Sequence, residues 1–316
     1  MRRHFTAYIL AAFASIFLTA QTNAQIRPYV LEGTEVHSVP SKILDRDYEI
    51  FVSLPESYST KEDVKNDSKK ETTKPNAPKA YPVMFVTDAN YAFPLLRSIN
   101  RRVADHGENL QEFILVALSY ANGDDPAFSR NRDYTPTDID RRKTRAIDQN
   151  EEVYGQAEKY RRYVAEEVFP YVAQHFRADM KRKVFAGHSY GALFGAHVLL
   201  TSPAMFNNYI LSSASLWFDN GVMFDIERRY AALNVDLPAK VLLLSGAYET
   251  VRPKAKNRRF NKNRDLVTDM KRFERPLKSH QYPGLSVQSE VIADEDHLTA
   301  APAALTRGLL WAFGKP

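Results

Sequence analysis

The residues best suited to chemistry are five in a row, Gly187-His188-Ser189-Tyr190-Gly191. They follow the apolar run Lys183–Ala186, which predicts a strand, and they open a predicted helix that ends near Leu200. A serine on such a tight strand-to-helix turn has its hydroxyl raised above the sheet, and glycines flank it because a Cβ there would collide with the neighbouring strand and helix. The pattern predicts Ser189 as a nucleophile and the backbone N–H of Tyr190 as a donor to an oxyanion.

A serine hydroxyl needs a base to take its proton. When the nucleophile sits on a strand-to-helix turn of this type, the acid and then the histidine follow it in the chain. Past residue 197 the sequence has His280 and His297. His297 follows the predicted strand Val287–Ile292, at the edge where ligand-facing loops lie, whereas His280 precedes that strand. We therefore predict His297 as the general base.

The acid that would orient this histidine is predicted to be Glu249. It follows the predicted strand Val241–Leu244 and stands between Ser189 and His297 in the chain. Three other carboxylates remain open as alternatives: Asp219, Asp294 and Asp296. Asp296 is the least suited of them, because adjacent side chains on an extended segment point apart.

A second oxyanion donor is expected after the apolar run Val83–Val86, within Asp88-Ala89-Asn90. On position alone we predict the backbone N–H of Ala89, with Asn90 as the alternative.

The elements that must hold these residues alternate between strand and helix. Short continuous apolar runs, such as Phe113–Leu118 and Tyr209–Leu211, are typical of buried parallel strands. Apolar residues at helical spacing between Tyr160 and Phe176 predict one long helix with a kink at Pro170. The fold class is therefore predicted to be α/β, a mostly parallel central sheet with helices on both faces.

The N-terminus has the pattern of an export signal. Arg2 and Arg3 precede an apolar stretch, and Thr22-Asn23-Ala24 supplies small residues for cleavage. We predict residues 1–24 as a signal peptide without a stable membrane anchor, and hence a periplasmic or secreted protein. Residues 25–316 are predicted to form one domain, with residues 59–79 as a mobile surface insert because they contain almost no apolar side chains.

Composition narrows the classes of function. The chain has no cysteine and a formal net charge of +5, a modest excess that argues little for a nucleic-acid partner. The absence of cysteine and of an H-E-x-x-H helix disfavours metal-dependent hydrolysis, and no G-x-G-x-x-G follows a predicted strand. We therefore expect neither a metal nor a cofactor.

Several blocks resemble the esterase D family of α/β hydrolases, which includes periplasmic trilactone-siderophore esterases. The matching segments are RDYEIFVSLPESY from Arg46, RNRDYTPTD from Arg130, GHSYGALFGAHVLL from Gly187 and DHLTAAPAALTRGLLWAF from Asp296. The resemblance implies an α/β-hydrolase fold and a serine esterase acting without metal. It also implies that Arg130 lines the substrate pocket, although a salt bridge that pins the loop is an equal alternative.

The predicted reaction is hydrolysis of a small-molecule carboxylic ester through an acyl-enzyme. An anionic ferric trilactone siderophore is the candidate substrate, and the basic run Arg252–Arg264 could attract it or serve only as a solvated face. Three alternatives remain: an exported acyltransferase, an acetyl or feruloyl esterase, and a non-catalytic binding protein.

Overall fold

The computed structural model describes residues 28–58, 79–106, 110–139 and 153–315. The predicted signal segment, residues 1–24, and the predicted insert up to residue 78 lie outside these ranges. Gly33–Pro316 forms one compact unit. Across the described ranges, no helix combines the length and apolarity that crossing a membrane requires.

Within the described ranges, eight strands form a single sheet in the order β1-β2-β4-β3-β5-β6-β7-β8. At one edge β1 pairs antiparallel with β2, and β2 pairs antiparallel with β4; the other five pairings are parallel. This confirms the predicted mostly parallel sheet. The strands are β1 (Thr34–Ser38), β2 (Glu49–Ser53), β3 (Tyr81–Val86), β4 (Ile114–Leu118), β5 (Ala178–His188), β6 (Asn208–Ser212), β7 (Ala239–Gly246) and β8 (Leu285–Ile292).

Helices cover both faces of the sheet. The first and last described helices pack on one face, and the others lie on the opposite face. They are α1 (Ala89–His106), α2 (Pro126–Tyr134), α3 (Ala157–Tyr163), α4 (Phe169–His175), α5 (Tyr190–Thr201), α6 (Phe218–Leu233), α7 (Leu266–Ser279) and α8 (Ala300–Phe313).

The central strands are apolar along their whole length because both of their faces are covered. Every residue of β3 and β4 is buried. Each Å² of apolar surface that is buried stabilises the fold by about 25 cal/mol. Because both of their faces are covered, these strands form the core of the sheet. The prediction that the continuous apolar runs form buried strands is therefore confirmed.

The predicted long helix is interrupted in a different way from the one expected. A π-helical turn, Val164–Val168, joins α3 to α4, and Phe169 N–H donates to the carbonyl of Val164, five residues earlier. Pro170 is the second residue after this turn. Proline has no N–H to donate and its ring crowds the carbonyl four residues earlier, so the wider turn accommodates it without breaking the helix.

Candidate active site

Ser189 lies on the sharp turn between β5 and α5. Its backbone has φ 58° and ψ −116°, a conformation that residues other than glycine rarely adopt. The two flanking glycines are both required, as predicted. A Cβ on Gly187 would lie 2.5 Å from the backbone of Gly191, and a Cβ on Gly191 would overlap the hydroxyl of Thr87 at the end of β3. Close packing of three elements therefore holds this strained serine in place.

A chain of hydrogen bonds joins Ser189 to a buried carboxylate. His297 Nε2 lies 3.0 Å from Ser189 Oγ, and His297 Nδ1 lies 2.6 Å from Glu249 Oε1. Glu249 is 0% exposed, and its Oε2 accepts from Ser213 Oγ at 2.7 Å and Gly246 N at 2.6 Å. Since a carboxylate only accepts, Nδ1 must carry the imidazole proton, and Nε2 is free to accept the proton of Ser189. The structure thus brings together the three residues predicted as nucleophile, base and acid.

Two backbone features allow the loops after β7 and β8 to meet. A Cβ on Gly246 would overlap the carbonyl oxygen of Glu295, so glycine lets the two loops touch. Tyr248 N–H then donates to that carbonyl at 2.9 Å. Ser213 has a positive φ of 48° and donates its N–H to Leu244 O at 2.7 Å, which aims its hydroxyl at the carboxylate.

The competing carboxylates have other partners. Asp296 accepts from Arg259 Nε at 2.6 Å and from the N–H groups of Leu298 and Thr299, the two residues before α8. Asp219 accepts from Thr137 Oγ1 at 2.7 Å, and Asp294 lies 3.3 Å from the hydroxyl of Tyr248.

The competing histidine lies away from this centre as well, since His280 Nε2 pairs with the buried carboxylate of Glu227 at 3.1 Å.

The two predicted oxyanion donors begin two neighbouring helices. Tyr190 is the first residue of α5 and Ala89 is the first residue of α1. The contact between Gly191 and Thr87 brings these two helix starts against each other. The first N–H groups of a helix have no acceptor within it and carry the positive end of its dipole. Both groups can therefore stabilise negative charge, and Asn90 remains the alternative to Ala89.

Arg130 has both of the roles that the sequence left open, since it forms a salt bridge and also lines the pocket. Its Nε donates to Asp88 Oδ1 at 2.8 Å, which is the predicted salt bridge, and it also lines the pocket that contains Ser189. Tyr120 donates its hydroxyl to the same oxygen at 2.8 Å. Burial of the guanidinium lowers the pKa of Arg130, but the charge of Asp88, the neighbouring Tyr134 and Tyr120 and the hydrogen bond to Asp88 together raise the pKa above its usual value. The arginine stays charged beside the nucleophile.

A pocket of about 640 Å³ opens above the nucleophile. Its cationic lining consists of Arg130, Lys262 and Arg264, so the end of the predicted basic run does reach the site. The guanidinium of Arg264 stacks 3.3 Å from the ring centroid of Trp217, and that of Arg130 lies 5.8 Å from the ring of Tyr190. Planar cations over aromatic rings form a surface suited to flat, negatively charged groups.

The rest of the basic run plays a different part. Arg259 lies over the ring of Tyr248 at 4.5 Å and ties the run to Asp296. The guanidinium of Arg252 lies 4.8 Å from the ring of Phe260. All four side chains are exposed, but only Lys262 and Arg264 line the pocket. The substrate-attracting reading therefore describes Lys262 and Arg264, and the solvated-face reading describes Arg252 and Arg259.

A second histidine lies under the general base. The rings of His188 and His297 are 4.7 Å apart, and His188 Nδ1 is 3.0 Å from Ser212 Oγ. Burial lowers the pKa of His188 to about 3, with further lowering from the charges of His297 and Arg130. His188 is therefore neutral at any pH at which the base acts.

Sequence reasoning missed the serines that serve this centre. Ser213 holds Glu249, and Ser215 Oγ lies 3.3 Å from Ser189 Oγ. No spacing rule marks either residue, because both lie in an irregular segment after β6. The run Ser212-Ser213-Ala214-Ser215 directly after a predicted strand was the one available signal.

Comparison with known proteins shows which family the chain belongs to. The profile of the family described as "Putative esterase" matches residues 41–287. Ferri-bacillibactin esterase BesA of Bacillus subtilis is 26% identical over 290 residues, which cover 90% of this chain and 91% of that protein. The siderophore enterobactin esterase of Emericella nidulans is 27% identical over 286 residues, covering 84% and 89% respectively.

Among solved structures, the BES protein from Bacillus cereus superposes with a TM-score of 0.70 at 21% identity, over 92% of this chain and 99% of that chain. This likeness supports the α/β fold. The family profile covers Ser189 and Glu249 but ends before His297, so the base rests on the geometry of this structure. Since the profile spans most of the chain, the protein belongs to the Putative esterase family and is an esterase.

Proposed function

We propose that this protein is a serine esterase that cleaves the ester bonds of an anionic trilactone siderophore through an acyl-enzyme. The observation that carries the proposal is the hydrogen-bonded series Ser189–His297–Glu249 at the floor of a pocket with three cationic side chains. The names of the two relatives, both siderophore esterases, support the substrate class.

The reaction follows from the proton positions. Ser189 Oγ attacks the ester carbonyl carbon while His297 Nε2 takes its proton. Glu249, buried and holding Nδ1–H, stabilises the imidazolium that forms. The N–H groups of Tyr190 and Ala89 stabilise the oxyanion. His297 then gives its proton to the leaving alkoxide, and the acyl group remains on Ser189 until water releases it.

The pocket supports a negatively charged substrate. Arg130, Lys262 and Arg264 surround the opening, and a ferric catecholate complex is both anionic and rich in flat aromatic rings. Permanent cations attract such a complex at long range, and the guanidinium and indole planes offer stacking surfaces for the catechol rings. In this proposal the cationic side chains of the pocket determine which substrate binds, and the series Ser189–His297–Glu249 cleaves the bond.

The export prediction belongs to this proposal. A siderophore esterase outside the cytoplasm would meet its ferric substrate as it enters the cell, and residues 1–24 have the composition of a cleaved signal. Expression of the full chain, followed by cell fractionation and N-terminal sequencing, tests this directly. A mature protein beginning at Gln25 in the exported fraction is expected, and an intact N-terminus in the cytoplasm would contradict it.

The test of the activity is a parallel assay of the unmodified protein and Ser189→Ala. Each receives a short-chain nitrophenyl ester, a ferric trilactone siderophore and a feruloyl ester, with products separated by chromatography. We expect the unmodified protein to cleave the siderophore most efficiently and Ser189→Ala to lose at least about 10⁴-fold in kcat/KM on every substrate.

Ser286→Ala, at an exposed serine of β8, is the matched control and should retain full activity. Retained activity in Ser189→Ala would contradict the nucleophile, whereas a preference for the feruloyl ester would contradict only the substrate.

A further inference from the structure

Three serines, the last residue of β6 and two that follow it, each contact a different residue at the catalytic centre. Ser212 Oγ contacts His188, Ser213 Oγ donates to Glu249, and Ser215 Oγ lies 3.3 Å from Ser189 Oγ. Ser215 is 2% exposed, yet it lines the same pocket as the nucleophile. Its hydroxyl is thus a second oxygen at the reacting centre, and the mechanism proposed above gives it no task.

The backbone fixes where this hydroxyl stands but not how it points. Ser215 N–H donates to Ser189 O at 3.3 Å, and Ser215 O accepts from Phe218 N at 3.0 Å. The separation of 3.3 Å between the two hydroxyl oxygens exceeds the usual 2.7–2.8 Å of an O–H···O bond. The Ser215 hydroxyl is therefore held close to the nucleophile by a weak bond and can turn during the reaction.

The protons of the resting site can be assigned. Ser189 donates its proton to His297 Nε2, because Nδ1 carries the imidazole proton toward Glu249. Ser215 must then be the donor in its contact with Ser189 Oγ. Once Ser189 is acylated, its oxygen becomes a poorly accepting ester oxygen, and the Ser215 hydroxyl is free to accept.

We propose that Ser215 is a catalytic residue that selects water as the acyl acceptor. This inference rests on the proposed serine-esterase function and concerns its second half. A water molecule that donates one proton to His297 Nε2 and the other to Ser215 Oγ has its lone pair directed at the acyl carbon.

The step is balanced in atoms and protons. The water oxygen bonds to the carbon as one proton passes to His297. The tetrahedral intermediate then collapses, Ser189 leaves with that proton, and the carboxylic acid is released.

The same geometry disfavours an alcohol acceptor. An alcohol has one hydroxyl proton, which His297 must take, and so it has none to donate to Ser215. The Ser215 hydroxyl therefore favours hydrolysis over acyl transfer, the two outcomes that a shared acyl-enzyme leaves open.

The experiment measures acylation, deacylation and acceptor choice separately. The unmodified protein and Ser215→Ala hydrolyse nitrophenyl acetate with and without methanol. Pre-steady-state release of nitrophenol gives the acylation rate, and chromatography gives the ratio of methyl acetate to acetate. For Ser215→Ala we expect acylation within twofold of the unmodified protein. Deacylation should be about threefold to tenfold slower and the ester-to-acid ratio higher by a similar factor, as the loss of one hydrogen bond implies.

Ser245→Ala is the matched control. Ser245 is buried in β7, and its hydroxyl has no hydrogen-bond partner among the described residues. It should leave both rates and the product ratio unchanged. A Ser215→Ala protein with an unchanged product ratio and deacylation rate would overturn the inference. So would one that loses acylation and deacylation equally, as a purely structural defect would cause. Either result leaves the proposed function standing, because that function is tested separately by Ser189→Ala and by the comparison of substrates.

Discussion

The two edges of the parallel sheet both carry a positively charged pocket, but they differ in every other respect. At the carboxyl edge, Lys262 and Arg264 border a pocket of about 640 Å³ that contains Ser189 and His297. At the amino edge, a cleft of about 470 Å³ is also bordered by lysine and arginine side chains, but no serine or histidine lines it. Volume and positive charge therefore do not make a site.

The difference has a topological cause. At the carboxyl edge, strands of a parallel sheet run into the N-termini of helices, where backbone N–H groups point outward. That edge also carries the non-glycine residues with positive φ that follow β3, β5 and β6, namely Asp88, Ser189 and Ser213. Backbone strain collected at one edge, and supported by packing beneath it, marks the edge at which chemistry is organised.

At the carboxyl edge, we expect the greatest loss of activity in this series when the buried carboxylate beneath His297 is replaced. Glu249→Gln keeps the size of the side chain but replaces an oxygen that accepts with an amide group that donates. Either His297 or the Ser213–Gly246 pair then faces a donor, so the imidazole loses its tautomer or its orientation. We expect kcat on a nitrophenyl ester to fall by about 10³–10⁴-fold with KM nearly unchanged.

Glu290→Gln is the matched control, because it removes an exposed carboxylate on β8. Its kcat should stay within twofold of the unmodified protein. A loss of less than tenfold in Glu249→Gln would indicate that Ser189 and His297 act without an acid.

A smaller change in kinetics is expected when the two lysine and arginine side chains that border the carboxyl-edge pocket are removed. Removing Lys262 and Arg264 together should raise KM for the ferric siderophore about tenfold, because each partly exposed charge contributes up to about 1 kcal/mol. The kcat for a neutral nitrophenyl ester should change less than twofold. Steady-state kinetics at low and high salt provide the measurement, and the difference in KM should shrink as salt screens the charges.

The amino edge supplies the matched control. Lys240→Ala with Arg182→Ala removes the same two residue types from the other pocket and should leave both kinetic constants unchanged. Equal effects of the two double variants would mean that net charge, rather than the pocket lining, attracts the substrate.

The smallest effect concerns stability at acid pH. The pKa of His188 is lowered to about 3 in the folded protein, chiefly by burial, whereas an unfolded histidine titrates near about 6.5. The unfolded chain therefore binds a proton that the folded chain does not. Stability from this group is fully present above about pH 6.5 and is lost as the pH falls toward 3.

His188→Gln removes the imidazole that binds this proton in the unfolded chain. Urea unfolding at pH 6.5 and 4.5 should show that the unmodified protein loses about 2 kcal/mol more free energy of unfolding over this range than the variant does. The same pH dependence in both proteins would show that His188 titrates normally and that the edge does not exclude its charge.

The sequence determined the parts of this protein that depend on local pattern. Short continuous apolar runs that alternate with helical patterns indicate buried strands flanked by helices, and G-x-S-x-G after such a run favours a strained turn, so the fold and Ser189 could both be predicted. His297 followed from chain order and from its place after a strand. Glu249 could be ranked above Asp296 but not separated from every competitor, because the choice depends on which loop reaches the histidine.

Tertiary structure alone decided which groups meet across distant loops. Gly246 lets the loop that carries Glu249 touch the loop that carries His297, but the sequence around Gly246 does not show that Glu295 is the residue it meets. The division of the basic run into pocket-lining and surface residues, and the approach of Ser215 to Ser189, arise in the same way. Local sequence sets the conformation of each turn, whereas the separation between side chains from different turns is set only when the whole sheet packs.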